Sequence, residues 1–192
     1  EGEYEASERV IQQLLAEAGS AGVTTGLVAP DGGGAALASD PTNVLTPETY
    51  IGHARAEGFA SPGGQVLGVA HDYDVPSRLA LNEWALAGLW TVGEEDAVSN
   101  AAAGKIVIHF QARDLHLVLG PGSDGRPVRF RVRIDGGAPG ADHGSDVDAD
   151  GVGTVHEQRL YQLIRQNGSV RSRTFEIEFS DPGATAYAFT FG

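Results

Sequence analysis

The chain has no cysteine and no methionine among its 192 residues. Without cysteine it forms no disulfide and supplies no thiolate, whichever compartment holds it. Without methionine it does not open on a start codon, and no charged and apolar leader begins it. A piece of a longer protein, with its address carried elsewhere, is therefore expected. Positive charge is also scarce. Lysine and arginine number 13 against 26 aspartates and glutamates, a formal net charge of −13, and Lys105 is the single lysine. Nucleic acid and anionic membrane surfaces demand a basic footprint, so both are excluded as partners. A neutral ligand, a cation or a protein partner is left. No apolar run approaches the roughly 20 residues that span a bilayer.

What is present suits a globular domain with an appendage. Hydrophobic residues make up 41% of the chain, and a length of this order buries a core without staples. Residues 1–19 read as a helix. Val10, Ile11, Leu14, Leu15 and Ala18 form one apolar stripe, Glu1, Glu3 and Glu5 complement the positive end of the macrodipole, and Gly19 stops the turn. A stripe this apolar needs a cover, which suggests the end of a preceding domain. Residues 20–47 are rich in Gly, Ala, Ser, Thr and Pro and read as a linker. Residues 48–60 have weak helical character, with Tyr50, Ile51 and Phe59 as apolar pins.

From about residue 83 the period becomes two. Ile106, Ile108 and Phe110, then Leu115, Leu117 and Leu119, then Val128, Phe130, Val132 and Ile134 each keep one apolar face. Phe175, Ile177 and Phe179 do the same, and Tyr187, Phe189 and Phe191 close the chain. With WALAGLWTV (84–92) and RLYQLIR (159–165) this makes about seven strands separated by Gly, Asp and Pro turns. The expected fold is mainly β, an antiparallel β-sandwich of jelly-roll type over 48–192, preceded by the helix and linker. Arg129, Arg131 and Arg133 face outward on one strand, Glu176 and Glu178 on another, so these strands are expected to be neighbours.

Residues 143–157, HGSDVDADGVGTVHE, match the calcium loop D-x-[DN]-x-[DN]-G-x5-E through Asp146, Asp148, Asp150, Gly151 and Glu157. No helix precedes Asp146, the QRLYQLIR segment after Glu157 fits a strand, and the mid-loop hydrophobic position is Gly153. Three readings stand: calcium on a β scaffold, an acidic turn closed by its own Asp side chains, or a transition-metal site using His143 and His156. For ligand binding, Trp84, Trp90 and Tyr161 are the candidate rings of a sugar platform, with core packing as the alternative; Trp84 and Trp90 share a face unless Gly88 bulges the strand. Catalytic signals are thin. There is no G-x-S-x-G elbow, Asp114 with His116 lacks a nucleophile, and Glu94 beside Glu95 would point to opposite faces of a strand.

Taken together, GEYEASERVIQQLL, TPETYIGHARAE, WALAGLWTV, FQARDLHLVL, RVRIDGG, HGSDVDADGVGTVHEQRLYQLIRQ and AYAFTFG resemble the C-terminal region of the DipZ-type cytochrome c biogenesis and thiol–disulfide proteins of bacteria. The resemblance implies a membrane electron-transfer part, then an extracytoplasmic thioredoxin-like domain whose last helix is residues 1–19, then a sandwich similar to a carbohydrate-binding module. The redox Cys-x-x-Cys would lie upstream. It implies a non-catalytic accessory module of a thiol–disulfide protein, partnered by the thioredoxin-like domain of the same parent chain and holding a glycan or a protein client. The alternatives are a purely structural domain shaping the redox cleft, a calcium-binding lectin-like module, and a small jelly-roll hydrolase.

Overall fold

The computed structural model describes residues 4–20, 26–27 and 43–192. The chain divides into two units, Glu1–Ala38 and Ser39–Gly192. In the first, helix α1 spans Tyr4–Glu17, and Val10, Ile11, Leu14 and Leu15 of its apolar stripe are exposed. Glu1 and Glu3, and most of the linker assigned to 20–47, lie outside the described residues. Among the described residues no helix is long and apolar enough to cross a membrane.

The second unit is built from β1 (Thr49–Tyr50), β2 (Ala70–Tyr73), β3 (Trp84–Val92), β4 (Ala97–Ser99), β5 (Gly104–Phe110), β6 (Asp114–Gly120), β7 (Val128–Ile134), β8 (Val152–Val155), β9 (Arg159–Arg165), β10 (Arg173–Phe179) and β11 (Thr185–Phe191). The strand order is β8-β7-β10-β5-β3-β4-β11-β6-β9, with β1 added to β11 and β2 to β3. All these pairings are antiparallel. This is the mainly β, sandwich-like fold that the alternating pattern predicts. The long strands are those with a sustained apolar face. The short ones, β1, β2, β4 and β8, run two to four residues, too few for a period to register. Residues 48–60 are not helical. Their start pairs with β11, Thr49 opposite Phe189 and Tyr50 opposite Ala188.

β3 belongs to both halves of the sheet. Its first part, from Trp84 to Ala87, pairs with β5. Its second part pairs with β2 on one side and β4 on the other. The change comes at Gly88, whose φ of 82° lies where a Cβ is strained. The halves then face each other, as the ring contacts show. Trp90 meets Phe179 at 5.9 Å between centroids, Phe130 meets Tyr161 at 6.4 Å, and Phe175 meets Phe189 at 6.0 Å, all edge-on. Each pair joins one half to the other. Edge-to-face rings add about 0.5–1.5 kcal/mol beyond the area they bury.

The outward face of β10 carries the expected charge pairing. Glu176 is directly opposite Arg133, and Glu178 opposite Arg131. The Arg133 guanidinium reaches both carboxylates, at 2.8 and 3.2 Å, and Lys105 on β5 reaches both from the other side, at 3.2 and 3.0 Å. The hydrogen bond from Lys105, joined by one from Arg133, holds the Glu178 carboxyl below its ordinary value. Arg129 pairs instead with Asp181 through two nitrogens, at 2.8 and 2.9 Å. A double-mutant cycle of Arg133→Ala with Glu176→Ala is expected to show a coupling of about 0.5 kcal/mol in urea melts. Strict additivity would mean that the pair does not hold in solution.

Candidate functional site

A concave surface of the β unit lies where the segment after β1 crosses the turn between β3 and β4. Three backbone hydrogen bonds place it. Ile51 N–H donates to the Tyr187 carbonyl at 2.8 Å, His53 N–H to Gly93 and Ala54 N–H to Glu94, both at 3.0 Å. Gly52 makes the crossing feasible, because a Cβ there would collide with the backbone of Glu95 and Asp96. On the far side the Trp84 indole N–H donates to the Glu57 carbonyl at 2.8 Å. The loop is thus tied to the core strand at both ends.

Two cavities open along this crossing. One, of about 570 Å³, is lined by Glu48, Tyr50, Arg55, Glu57, Asn82 and Glu83 among others. The second, of about 330 Å³, is lined by Tyr50, Arg55, Glu94, Glu95 and Tyr187. Tyr50 and Arg55 belong to both. The Tyr50 hydroxyl donates to Glu48 Oε2 at 2.6 Å, and the Arg55 guanidinium lies 3.5 Å over the Tyr50 ring centroid. The Glu48 hydrogen bond raises the Tyr50 phenol above its ordinary value. Tyr187 sits at a bulge where the β11–β6 register shifts between Ala186 and Ala188; burial, then the nearby Asp96 charge, raises its phenol too. Glu94 and Glu95 lie in a turn, not on a strand, so both face one cavity. Carboxylates, one guanidinium and two phenols can hold a ligand through charge, hydrogen bonds and ring faces.

Residues 46–192, nearly the whole β unit, match the family described as thioredoxin like C-terminal domain. The chain belongs to this family. It is also 27% identical over 199 residues to Protein DipZ of Mycobacterium bovis (strain ATCC BAA-935 / AF2122/97) and to Protein DipZ of Mycobacterium tuberculosis (strain CDC 1551 / Oshkosh). Those alignments cover 100% of this chain and 24% of each relative, so the chain spans about a quarter of their length. Among solved structures, a family two carbohydrate esterase from Clostridium thermocellum in complex with cellohexaose overlaps 51% of this chain and 27% of its own. That overlap has 10% identity and a TM-score of 0.37, too low to support any argument.

In this thioredoxin like C-terminal domain the three rings expected to form a sugar platform are in the core. Trp84 and Trp90 are 0% exposed and Tyr161 is 1% exposed. Their polar atoms are satisfied within the chain: Trp90 Nε1 donates to the Ala87 carbonyl at 2.8 Å, and the Tyr161 hydroxyl donates to the Glu157 carbonyl at 2.9 Å. Facing inward on two sheet halves, they cannot offer a ring face to a ligand. The rings that line the cavities are Tyr50 and Tyr187, which alternation alone does not single out. Tyr187 falls on the apolar parity of its strand, and only the bulge turns it outward.

The acidic loop is held by its own chain. Asp146 accepts from Arg159 Nη2 and from Gln162 N–H, both at 2.7 Å. Asp148 Oδ1 accepts from Asp150 N–H at 3.0 Å and Val152 N–H at 2.8 Å, an Asx turn. Glu157 stands 3.6 Å from Arg159, and Asp150 is exposed. Asp146 thus faces β9 while Asp148 faces its own turn. Among the described residues no three His, Cys, Asp or Glu side chains are grouped to hold a metal. Asp114 and His116 are also separate in their partners. Buried Asp114 binds Arg113 and Arg165, each at 2.6 Å, while the His116 ring meets Gln162 at 3.3 Å and Thr190 at 3.4 Å.

Calcium added to EDTA-treated protein is expected to leave the melting midpoint unchanged. Stoichiometric binding, abolished by Asp148→Asn with Asp150→Asn, would restore the metal loop. A pH dependence comes from His116, whose imidazole burial pushes below its ordinary value. The unfolded chain then takes up the proton first. Stability is full above about pH 6.5, the unfolded value, and falls on acidification below it. His116→Gln is expected to flatten that part of the urea-midpoint profile; an unchanged slope would assign it elsewhere.

Proposed function

We propose that this domain is a non-catalytic accessory module of an extracytoplasmic thiol–disulfide protein. It stands beside a thioredoxin-like domain of the same parent chain and holds that domain's client. The observation that carries this reading is the family match over residues 46–192 in a chain without cysteine. Thiol–disulfide exchange requires a thiolate, so the redox step belongs to another part of the parent. The lining of the two cavities supports a binding role, since it offers charge and ring faces on a rigid frame. A protein client fits this lining better than the buried-ring platform fits a glycan, because Trp84, Trp90 and Tyr161 are enclosed.

The test is a comparison of the full-length parent with a variant lacking residues 46–192. Reduction of a small soluble disulfide is expected to proceed at the same rate in both. For a protein disulfide the KM is expected to rise about ten-fold on deletion, because the tethered module no longer raises the local client concentration. Equal KM values for the protein substrate would refute client holding and leave the module a structural one.

A further inference from the structure

We infer that the two cavities sharing Tyr50 and Arg55 form one groove for a cationic stretch of a client polypeptide, one bearing lysine or arginine side chains. The inference rests on the client-holding reading above and names which clients the groove selects.

Charge points there first. Glu48, Glu57 and Glu83 line one cavity and Glu94 and Glu95 the other, against the single guanidinium of Arg55. Elsewhere on the β unit Asp114, Asp135, Asp146, Asp181, Glu176 and Glu178 are each ion-paired with Arg or Lys, whereas Asp72 and Asp74 are exposed and unpaired among the described residues but line neither cavity. In the groove the carboxylates of Glu57, Glu94 and Glu95 hold no hydrogen bond or ion pair among the described residues. Their field is felt locally: burial and then the Glu95 charge raise the Asp96 carboxyl above its ordinary value. Carboxylates left unpaired around a concavity attract a cation and repel an anion.

Ring chemistry points the same way. A guanidinium or ammonium is drawn to the face of an aromatic ring. Arg55 over Tyr50, at 3.5 Å, is that contact made within the chain, and Tyr187 lines the adjacent cavity as a second ring. Tyr50 is pre-set by its bond to Glu48, so little ordering is needed on binding. Ammonium and guanidinium groups carry only donors, which the unpaired carboxylates accept. A neutral glycan would leave the three free carboxylates uncompensated.

The probe is hexalysine, titrated into the isotopically labelled chain and followed by amide shifts. Saturable shifts are expected at residues 48–58, 94–96 and 187. Glu57→Gln with Glu94→Gln and Glu95→Gln is expected to weaken binding about ten-fold. Asp72→Asn with Asp74→Asn and Asp124→Asn changes the net charge equally at exposed positions outside the groove, and is expected to weaken it far less. Salt at about 0.3 M should suppress the shifts. Equal effects of the two triple variants, shifts spread over the acidic surface, or no saturable binding would each overturn the assignment. So would cellohexaose shifting the groove residues while hexalysine does not. If deletion of 46–192 raises the client KM yet hexalysine misses the groove, the accessory role stands and only the groove assignment falls.

Discussion

The β unit depends on one strand serving two sheet halves. β3 pairs with β5 before Gly88 and with β2 and β4 after it. A residue with a Cβ would be strained at Gly88, where φ is 82°, so the turn between halves is tied to one glycine. Trp84 and Trp90 lie on opposite sides of it, and both point inward. Their burial is what the bend achieves: a long apolar strand is folded over so that each end meets a different set of rings. The same bend fixes where the β3–β4 turn emerges, and with it Glu94 and Glu95. Core and groove therefore share one geometric cause.

Charge is distributed unevenly across this frame. On β10 the carboxylates sit between Arg133 on one neighbour and Lys105 on the other. Such a partly exposed network contributes little to stability per pair, and its larger effect is on register, because a slip would set like charges opposite each other. Around Tyr50 and Tyr187 the carboxylates face a concavity instead. Glu176 and Glu178 are compensated by their neighbours in the sheet. Glu94 and Glu95, in the turn between β3 and β4, hold no ion pair among the described residues.

The acidic loop shows how a linear motif depends on its frame. In an EF-hand, flanking helices hold the loop so that alternate side chains converge. Here the loop lies against β9, and Gly151 packs under the Val132 carbonyl. Asp146 is drawn to the Gln162 amide and to Arg159, while Asp148 closes a local turn. The spacing is the same but the directions differ, and direction is what a coordination shell requires.

Alternation of apolar residues determined the strand class, the long strands from β3 to β11 and the antiparallel two-layer arrangement, because one buried face is a local property of period two. Rows of opposite charge determined that β7 and β10 are neighbours, for the same reason, while the register that sets Arg133 across from Glu176 came from the tertiary structure. The composition determined that no thiol chemistry resides in this chain. The tertiary structure alone decided which aromatic rings are enclosed and which line a cavity. Trp84 and Tyr50 are equally aromatic in the sequence, yet one is enclosed, edge-on to Phe59 and bonded to the Glu57 carbonyl, and the other lies on a short strand beside a crossing loop. Only the tertiary structure gathered Glu57, Glu94 and Tyr187 around one ridge. They come from three distant segments, and hydrogen bonds among Ile51, Ala54, Glu94 and Tyr187 set their meeting. Such proximity arises from packing between segments, which no period within a single segment encodes.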